Sequence, residues 1–524
     1  MFRSPHPDVE IPDTPLPDFV LARARELGDQ PAVIDAPSGR TITYGQLADS
    51  VRAVAAGLGE RGFAKGDILA HYAPNLPEYA VAFLATATAG GVNTTANPLL
   101  TADELGRQLR DCGARLLVTV PALLETASAA AERSAVEEVF VYGEADGATP
   151  FAALLETSGE PPQVAIDPAE DLAALPYSSG TTGLPKGVML THRNLVANIC
   201  QVTGLFHTSE RDRVIAVLPF FHIYGLVVIM NMTLHRGATV VTMPRFDLPE
   251  FLRVIQDYRI TRANVVPPIA LALAKHPLVD EFDFSSLEFV GSGAAPLSAE
   301  LELACAERLG CRVQQGYGLT ETSPVTHTVP EDVAGQMPGS IGLLVPNTEC
   351  RIVDLATGDE LPAGEPGELC IRGPQVMKGY LNDPEATAQT IDAEGWLHTG
   401  DVASVEEDGS VRIVDRVKEL IKYKGYQIAP AELEGLLLTH EGIADAAVIP
   451  APDEEAGEVP KAFVVPSAPL TPEEVSAFVA ERVAPYKKVR AVELVDEIPK
   501  SPSGKILRRV LIDRERSSTA ASPG

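Results

Sequence analysis

Tyr177-Ser178-Ser179-Gly180-Thr181-Thr182-Gly183-Leu184-Pro185-Lys186-Gly187 is the stretch on which the reading of this chain turns. Small residues let backbone N–H groups approach phosphate oxygens, hydroxyls add donors, and Lys186 brings a positive charge. An apolar run, Leu172 to Pro176, leads into the loop, and a strand-like Val188-Met189-Leu190 follows it. That setting favours a phosphate cradle over an ordinary Ser/Gly surface loop. The segment is not a Walker A loop, which needs Gly-Lys followed by Ser or Thr and then a helix. Here Pro185 precedes the lysine and Gly187 follows it. Gly291-Ser292-Gly293-Ala294-Ala295-Pro296 begins like a dinucleotide fingerprint, but proline stands where the third glycine belongs.

Outward from this loop, apolar spacing alternates between helix and strand. Leu47, Val51, Val54 and Leu58 mark a helix over Tyr44 to Gly62. A strand over Asp67 to His71 and a helix over Pro77 to Ala89 follow. Strands over Leu116 to Val120 and Val139 to Tyr142 flank an Ala-rich helix from Leu123 to Arg133. Such alternation predicts an α/β fold with layered, largely parallel sheets. Residues 143 to 170, rich in Gly, Pro and acidic side chains, read as surface connection. After about residue 350, short β-like runs (Cys350 to Val353, Glu368 to Ile371) are divided by Gly and Pro turns. The polar tail from Ser517 to Gly524 reads as disordered, and no internal repeat is evident.

With 524 residues the chain exceeds one ordinary core, so two or more domains are expected. Its 45% apolar and 22% charged composition is that of a soluble protein. A formal charge of −30 opposes nucleic acid and anionic membrane surfaces as partners. From Arg416 onward acidic and basic residues nearly cancel, which makes the lysine-rich end the part suited to a polyanion. Six cysteines without a CxxC pair read as thiols in a reducing compartment. No signal-peptide core or apolar run of ~20 residues is present. A cytoplasmic protein is expected, with monomer and homodimer both open.

Four further blocks complete the pattern: Gln315-Gly316-Tyr317-Gly318-Leu319-Thr320-Glu321, Gly395-Trp396-Leu397-His398-Thr399-Gly400-Asp401, Val414 to Gln427, and Ser501-Pro502-Ser503-Gly504-Lys505-Ile506. In order and spacing the chain resembles the adenylate-forming superfamily of acyl-CoA synthetases, luciferases and peptide-synthetase adenylation domains. Within it, Pro219-Phe220-Phe221-His222-Ile223-Tyr224-Gly225 and the Ile421-to-Gln427 run are most similar to the 4-coumarate–CoA ligases. The resemblance implies a large N-terminal domain of layered sheets and helices (1–414). A small mobile α+β C-terminal lid (415–524) follows, hinged at Asp415. It also implies ATP, Mg²⁺ and coenzyme A as cofactors, and a carboxylic acid as substrate.

The roles implied are these. A carboxylate attacks the α-phosphorus of ATP, so the site must supply cations and donors where charge develops. Ser178, Ser179, Gly180, Thr181, Thr182 and Lys186 hold the leaving pyrophosphate. Glu321, with Thr182 nearby, binds Mg²⁺, a pairing of hard-oxygen ligands. Gln315, Gly316 and Thr320 belong to the nucleotide site, with Thr320 beside Glu321 at the chemistry. Asp401 accepts from the ribose hydroxyls, assisted by Arg416. Tyr317 stacks on adenine, which the Gly293, Ala294, Ala295, Pro296 turn also lines. Lys505 bridges carboxylate and α-phosphate. Lid rotation then withdraws Lys505 and brings in Lys418, Lys422, Lys424, Gly425 and Gln427. Lys418 and Lys422 bind the adenylate phosphate, Gln427 orients it, Lys424 and Gly425 meet CoA, and Arg245 meets a CoA phosphate. His222 orients the carboxylate or assists the thiol.

An acyl pocket is expected from Tyr224, Gly291, Gly293, Gly318, Pro324 and Val325, beside His222. Glycines 293 and 318 would leave a slot for a flat ring, with Tyr224 bonding a para-hydroxyl. Cinnamate, 4-coumarate and caffeate fit this expectation, with medium-chain fatty acids as the alternative acids. Gly291 replaces the lysine common in plant coumarate ligases. An amino-acid activator is disfavoured, because the Phe221-to-Tyr224 block lacks an aspartate and little chain follows Lys505. A luciferase-like oxidoreductase and a nucleotide sensor are the competing classes.

Overall fold

The computed structural model describes residues 1–157, 159–178, 185–423, 426–453, 456–501 and 504–520. The expected helices form where the apolar spacing put them, at Tyr44–Glu60 and Pro77–Thr88. Thr43 opens the first with a capping box, its hydroxyl accepting from the Gln46 N–H while Gln46 reaches back to the Thr43 N–H. The second helix is apolar on nearly every side. It is correspondingly buried, with Tyr79 and Phe83 fully enclosed. Each such ring contributes about 1.5–3 kcal/mol through area removed from water.

Among the described residues the strands form four sheets. One, of eight strands, has a parallel centre in which Ile68–Tyr72 lies between Val92–Thr95 and Leu116–Thr119. Another, of nine strands, runs parallel through Arg213–Ala216, Arg262–Val265, Phe289–Ser292 and Arg312–Gly318. Shared apolar packing joins these two sheets and their helices into one large core. A five-stranded antiparallel sheet contains Glu349–Val353, Gly367–Arg372, Leu397–Val405 and Val411–Arg416. The last sheet begins at Ile421–Tyr423 and has its own core around Ile421, Leu433 and Val464. The fold is therefore α/β, with a large N-terminal and a small C-terminal domain.

Two expectations need correction. Residues 143 to 170 are not merely surface: Thr149–Pro150 adds a strand, and Phe151 and Leu154 are buried. Gly57 permits this, since a Cβ there would strike the Leu154 carbonyl. The tail does not lose structure at Ser517, because the helix Arg508–Ala520 continues through it from a base anchored by buried Leu511. No helix among the described residues is long and apolar enough to cross a membrane.

Candidate active site

The carboxyl ends of the parallel strands Phe289–Ser292 and Arg312–Gly318 open into a cleft of about 1120 Å³. Ligands in α/β folds gather at such ends, where loops leave the sheet. From the C-terminal domain, Ser501, Lys505 and Arg508 close its other side. Most sequence-derived candidates converge here: Ser178, Lys186, His222, Tyr224, Gly291, Gly293, Ala294, Gln315, Gly316, Tyr317, Gly318, Thr320, Glu321, Pro324, Val325, Arg416, Lys418 and Lys505 all line the cleft.

At one end sits a web of carboxylates with fixed partners. Buried Asp401 accepts from the Tyr317 hydroxyl at 2.6 Å through one oxygen, and its other oxygen lies 3.1 Å from Arg416 Nε. Asp401 and Arg416 are cross-strand neighbours, so the pairing is built into the sheet. Burial raises the Asp401 carboxyl above its ordinary range, and Arg416 opposes that rise. Gln315 is held by donating to buried Glu302 at 2.7 Å while accepting from the Leu297 N–H. Glu321 Oε1 accepts from the Ser178 hydroxyl at 2.8 Å and the Tyr380 hydroxyl at 2.9 Å. Lys186 stands 5.1 Å above the Tyr380 ring and 3.7 Å from Asp383. Tyr380 thus joins the lysine after the loop to the carboxylate expected to hold metal. Sequence reading missed it. Its Gly379-Tyr380 step carried only the signal of a strand edge pairing with Val188.

Lys505 is enclosed. Burial first, then the nearby Arg416 charge, lowers its amine to about 8. Ser501 bonds it twice: the Ser501 hydroxyl accepts from the Lys505 N–H at 3.1 Å, and the Ser501 N–H donates to the Lys505 carbonyl at 2.8 Å. Asp415, also buried, accepts from the N–H of Arg416 at 2.7 Å and of Ala431 at 2.9 Å. The second bond ties the end of a large-domain strand to the start of the helix Pro430–Leu438.

At the far end the walls are apolar with a few polar atoms. Tyr224 opens a buried π-helix, Tyr224–Asn231, and its hydroxyl donates to Asn264 Oδ1 at 3.2 Å. A Cβ on Gly293 would stand 3.1 Å from the Tyr224 ring, so the space it leaves is bounded by that ring. Gly318 differs from expectation. A Cβ there would run into the Pro324 carbonyl, so this glycine makes room for backbone rather than for a ligand ring. Ser292 and Gln314 line the cleft, and their Oγ and Oε1 atoms, themselves closed off from solvent, have no hydrogen-bond partner among the described residues. His222 Nδ1 accepts from the Tyr224 N–H at 3.3 Å, which leaves the proton on Nε2. Burial lowers its basicity to about 4.

Other candidates lie apart. Ala295 and Pro296 are outside the cleft lining, and Arg245 is exposed on the loop after the buried Thr239–Thr242 strand. Lys422 is exposed, with its N–H donating to Glu458 at 2.8 Å. Ser179, Gly180, Thr181, Thr182, Lys424, Gly425 and the Gln427 side chain fall outside the described residues.

This fold and cleft define an enzyme that handles an adenylate, and the chain belongs to the AMP-binding enzyme family. That family matches residues 20–381, and the AMP-binding enzyme C-terminal domain matches 432–505. The chain is 45% identical over 526 residues to a 4-coumarate–CoA ligase of Pinus taeda, covering 98% of this chain and 97% of that one. Among solved structures it is similar to the anthranilate CoA ligase AuaEII in complex with anthranoyl-AMP (TM-score 0.90, 26% identity, 98% and 99% of the two chains). It is likewise similar to ATP-bound MatB of Rhodopseudomonas palustris (TM-score 0.86, 30% identity, 96% and 100% covered).

Proposed function

We propose that this acid–CoA ligase acts on ring-hydroxylated cinnamates, with 4-coumarate and caffeate ahead of unsubstituted cinnamate and of fatty acids. One observation carries the reading: a single cleft is lined by Tyr224, Ser292 and Gln314 and also by Arg416 and Lys505, with Asp401 paired to Arg416 behind the lining. The relatives named as 4-coumarate–CoA ligases support the acid class. A turn of the Ser292 or Gln314 side chain toward the cleft lets a ring hydroxyl satisfy Ser292 Oγ or Gln314 Oε1, groups that are costly to leave buried without partners. The Tyr224 oxygen, already donating to Asn264, keeps lone pairs to accept from a para-hydroxyl.

In the first half-reaction the acid's carboxylate attacks the α-phosphorus of ATP, and pyrophosphate leaves. Lys505 bridges the two anions and strengthens its hold as charge develops between them. His222 Nε2–H orients the attacking carboxylate. With a basicity near 4 it is too weak to draw a proton from a thiol of ordinary pKa, ~8.5, so orientation is its assigned role. Asp401 and Arg416 hold the ribose side, and Ser178 and Lys186 flank the phosphate loop. Glu321 fits Mg²⁺, because it is a hard-oxygen ligand already oriented by Ser178 and Tyr380. When bound, Mg²⁺ neutralises charge on the phosphate oxygens.

The second half-reaction needs the CoA thiol at the carbonyl carbon that Lys505 shields. Rotation about Asp415 exchanges the Lys505 loop for the face that carries Lys422, while Lys418, contrary to expectation, already lines the cleft beside Lys505. The six free thiols support a reducing compartment, and a cytoplasmic location is part of this reading. The direct test is AMP release from ATP with a panel of acids, with and without CoA. AMP formation requiring both acid and CoA is expected. The kcat/KM for 4-coumarate should exceed that for octanoate by about 5- to 30-fold, the factor worth one or two hydrogen bonds. Equal values would refute the acid assignment.

A further inference from the structure

Beside the ribose end of the cleft lies a cluster that the ligase chemistry does not use. Cys370 and His398 are directly opposed across the antiparallel strands Gly367–Arg372 and Leu397–Val405. Glu368, two residues before Cys370, shares its side of the strand. His398 Nδ1 lies 2.8 Å from Glu368 Oε2 and 3.5 Å from Cys370 Sγ, and the three ligand atoms are all within 4.8 Å of one another. Zinc bonds of ~2.0–2.1 Å to nitrogen and ~2.3 Å to sulfur place two tetrahedral ligands about 3.5 Å apart. The nitrogen–sulfur edge already has that length. The nitrogen–oxygen edge needs to open by roughly half an ångström, a side-chain adjustment for glutamate.

The surroundings are those of a metal ligand as well. His398 presents Nε2 to the Asp392 carboxylate at 3.7 Å, the outer partner that metal-bound imidazoles commonly have. Asp392 is itself fixed by Arg351 at 2.6 Å and by the N–H groups of Glu394 and Trp396. Glu368 Oε1 accepts from the Gly400 N–H at 3.1 Å, which anchors the glutamate one residue from Asp401. Glu368 and His398 line the cleft while Cys370 is buried behind them, so a fourth coordination position faces the cleft.

We propose that Glu368, Cys370 and His398 form a site for a thiophilic divalent cation, zinc foremost, separate from the Glu321 position. A thiolate, an imidazole and one carboxylate select zinc over magnesium. With its open position taken by a phosphate or carboxylate oxygen in the cleft, the bound cation inhibits the ligase. The site is formed by residues of the chain itself, and its occupancy is read without any acid substrate.

Titration of the metal-free, full-length protein with Co²⁺ tests this. A thiolate-to-cobalt charge-transfer band should saturate at one equivalent and be displaced by Zn²⁺. Cys370→Ser should abolish it, and Cys200→Ser should leave it intact. Asp392→Asn should weaken binding by about 10- to 100-fold. Zn²⁺ should inhibit AMP formation reversibly in the unmodified enzyme and at least tenfold less effectively in Cys370→Ser. No band, or a band that survives Cys370→Ser, would overturn the site. Equal inhibition of both proteins would overturn its inhibitory role.

Discussion

Lys505 and Lys422 belong to the same small domain but occupy opposite surroundings. Lys505 lies in the cleft with its N–H bonded to the Ser501 hydroxyl and its amine lowered to about 8 by burial. Lys422 is out in solvent, on a strand whose partner is its own sheet. One orientation of the domain presents one cation and withholds the other. The contrast supports a division of labour in which Lys505 serves adenylation as the protein stands, and Lys422 serves only after rotation. Asp415 is suited to the pivot, since its carboxylate reaches both Arg416 in the large-domain strand and Ala431 in the lid helix.

The strongest break of this comparison is Lys505→Ala. It should lower acid-dependent ATP–pyrophosphate exchange by about 10²–10³-fold, the usual effect of deleting a preorganised electrostatic partner. Thioester formation from supplied acyl-adenylate should survive. Lys422→Ala should invert the pattern. Loss of a charge-assisted phosphate contact slows the thioester half-reaction by about 10- to 100-fold and leaves exchange intact. The pH profile sharpens the same contrast. Because burial lowers the Lys505 amine, the cation it contributes is present below about pH 8 and lost above it. The kcat/KM for adenylation in the free enzyme should therefore fall about tenfold per unit well above that point. Tyr380→Phe, which keeps the ring beneath Lys186 but removes the bond to Glu321, should have the smallest effect. An increase of about 2- to 10-fold in the Mg²⁺ needed for half-maximal exchange is expected. A Phe variant indistinguishable from the original would leave Tyr380 without a positioning role.

Motifs contiguous in the chain were legible because each has a local geometry. Gln315 to Glu321 is a strand end and its turn, and Lys505 lies in a Gly-containing loop, wherever the rest of the molecule goes. Contacts between distant segments were not legible. Tyr380 meets Glu321, Glu368 meets His398, and Tyr224 meets Asn264 only because sheet order brings their strands together. Gly318 shows a further limit: sequence shows that volume is missing, but not which neighbour fills it. Composition misled over residues 143 to 170, where two apolar side chains, Phe151 and Leu154, were enough to draw a polar segment into the core.

The central claim is that two cationic faces of one lid take turns over a single cleft. Its most direct test is a crystal structure with a non-hydrolysable acyl-adenylate analogue and CoA bound together. Lys422 should lie within hydrogen-bonding distance of the adenylate phosphate, with Lys505 withdrawn into solvent. Lys505 still enclosed beside Asp401 while CoA occupies the site would contradict the account.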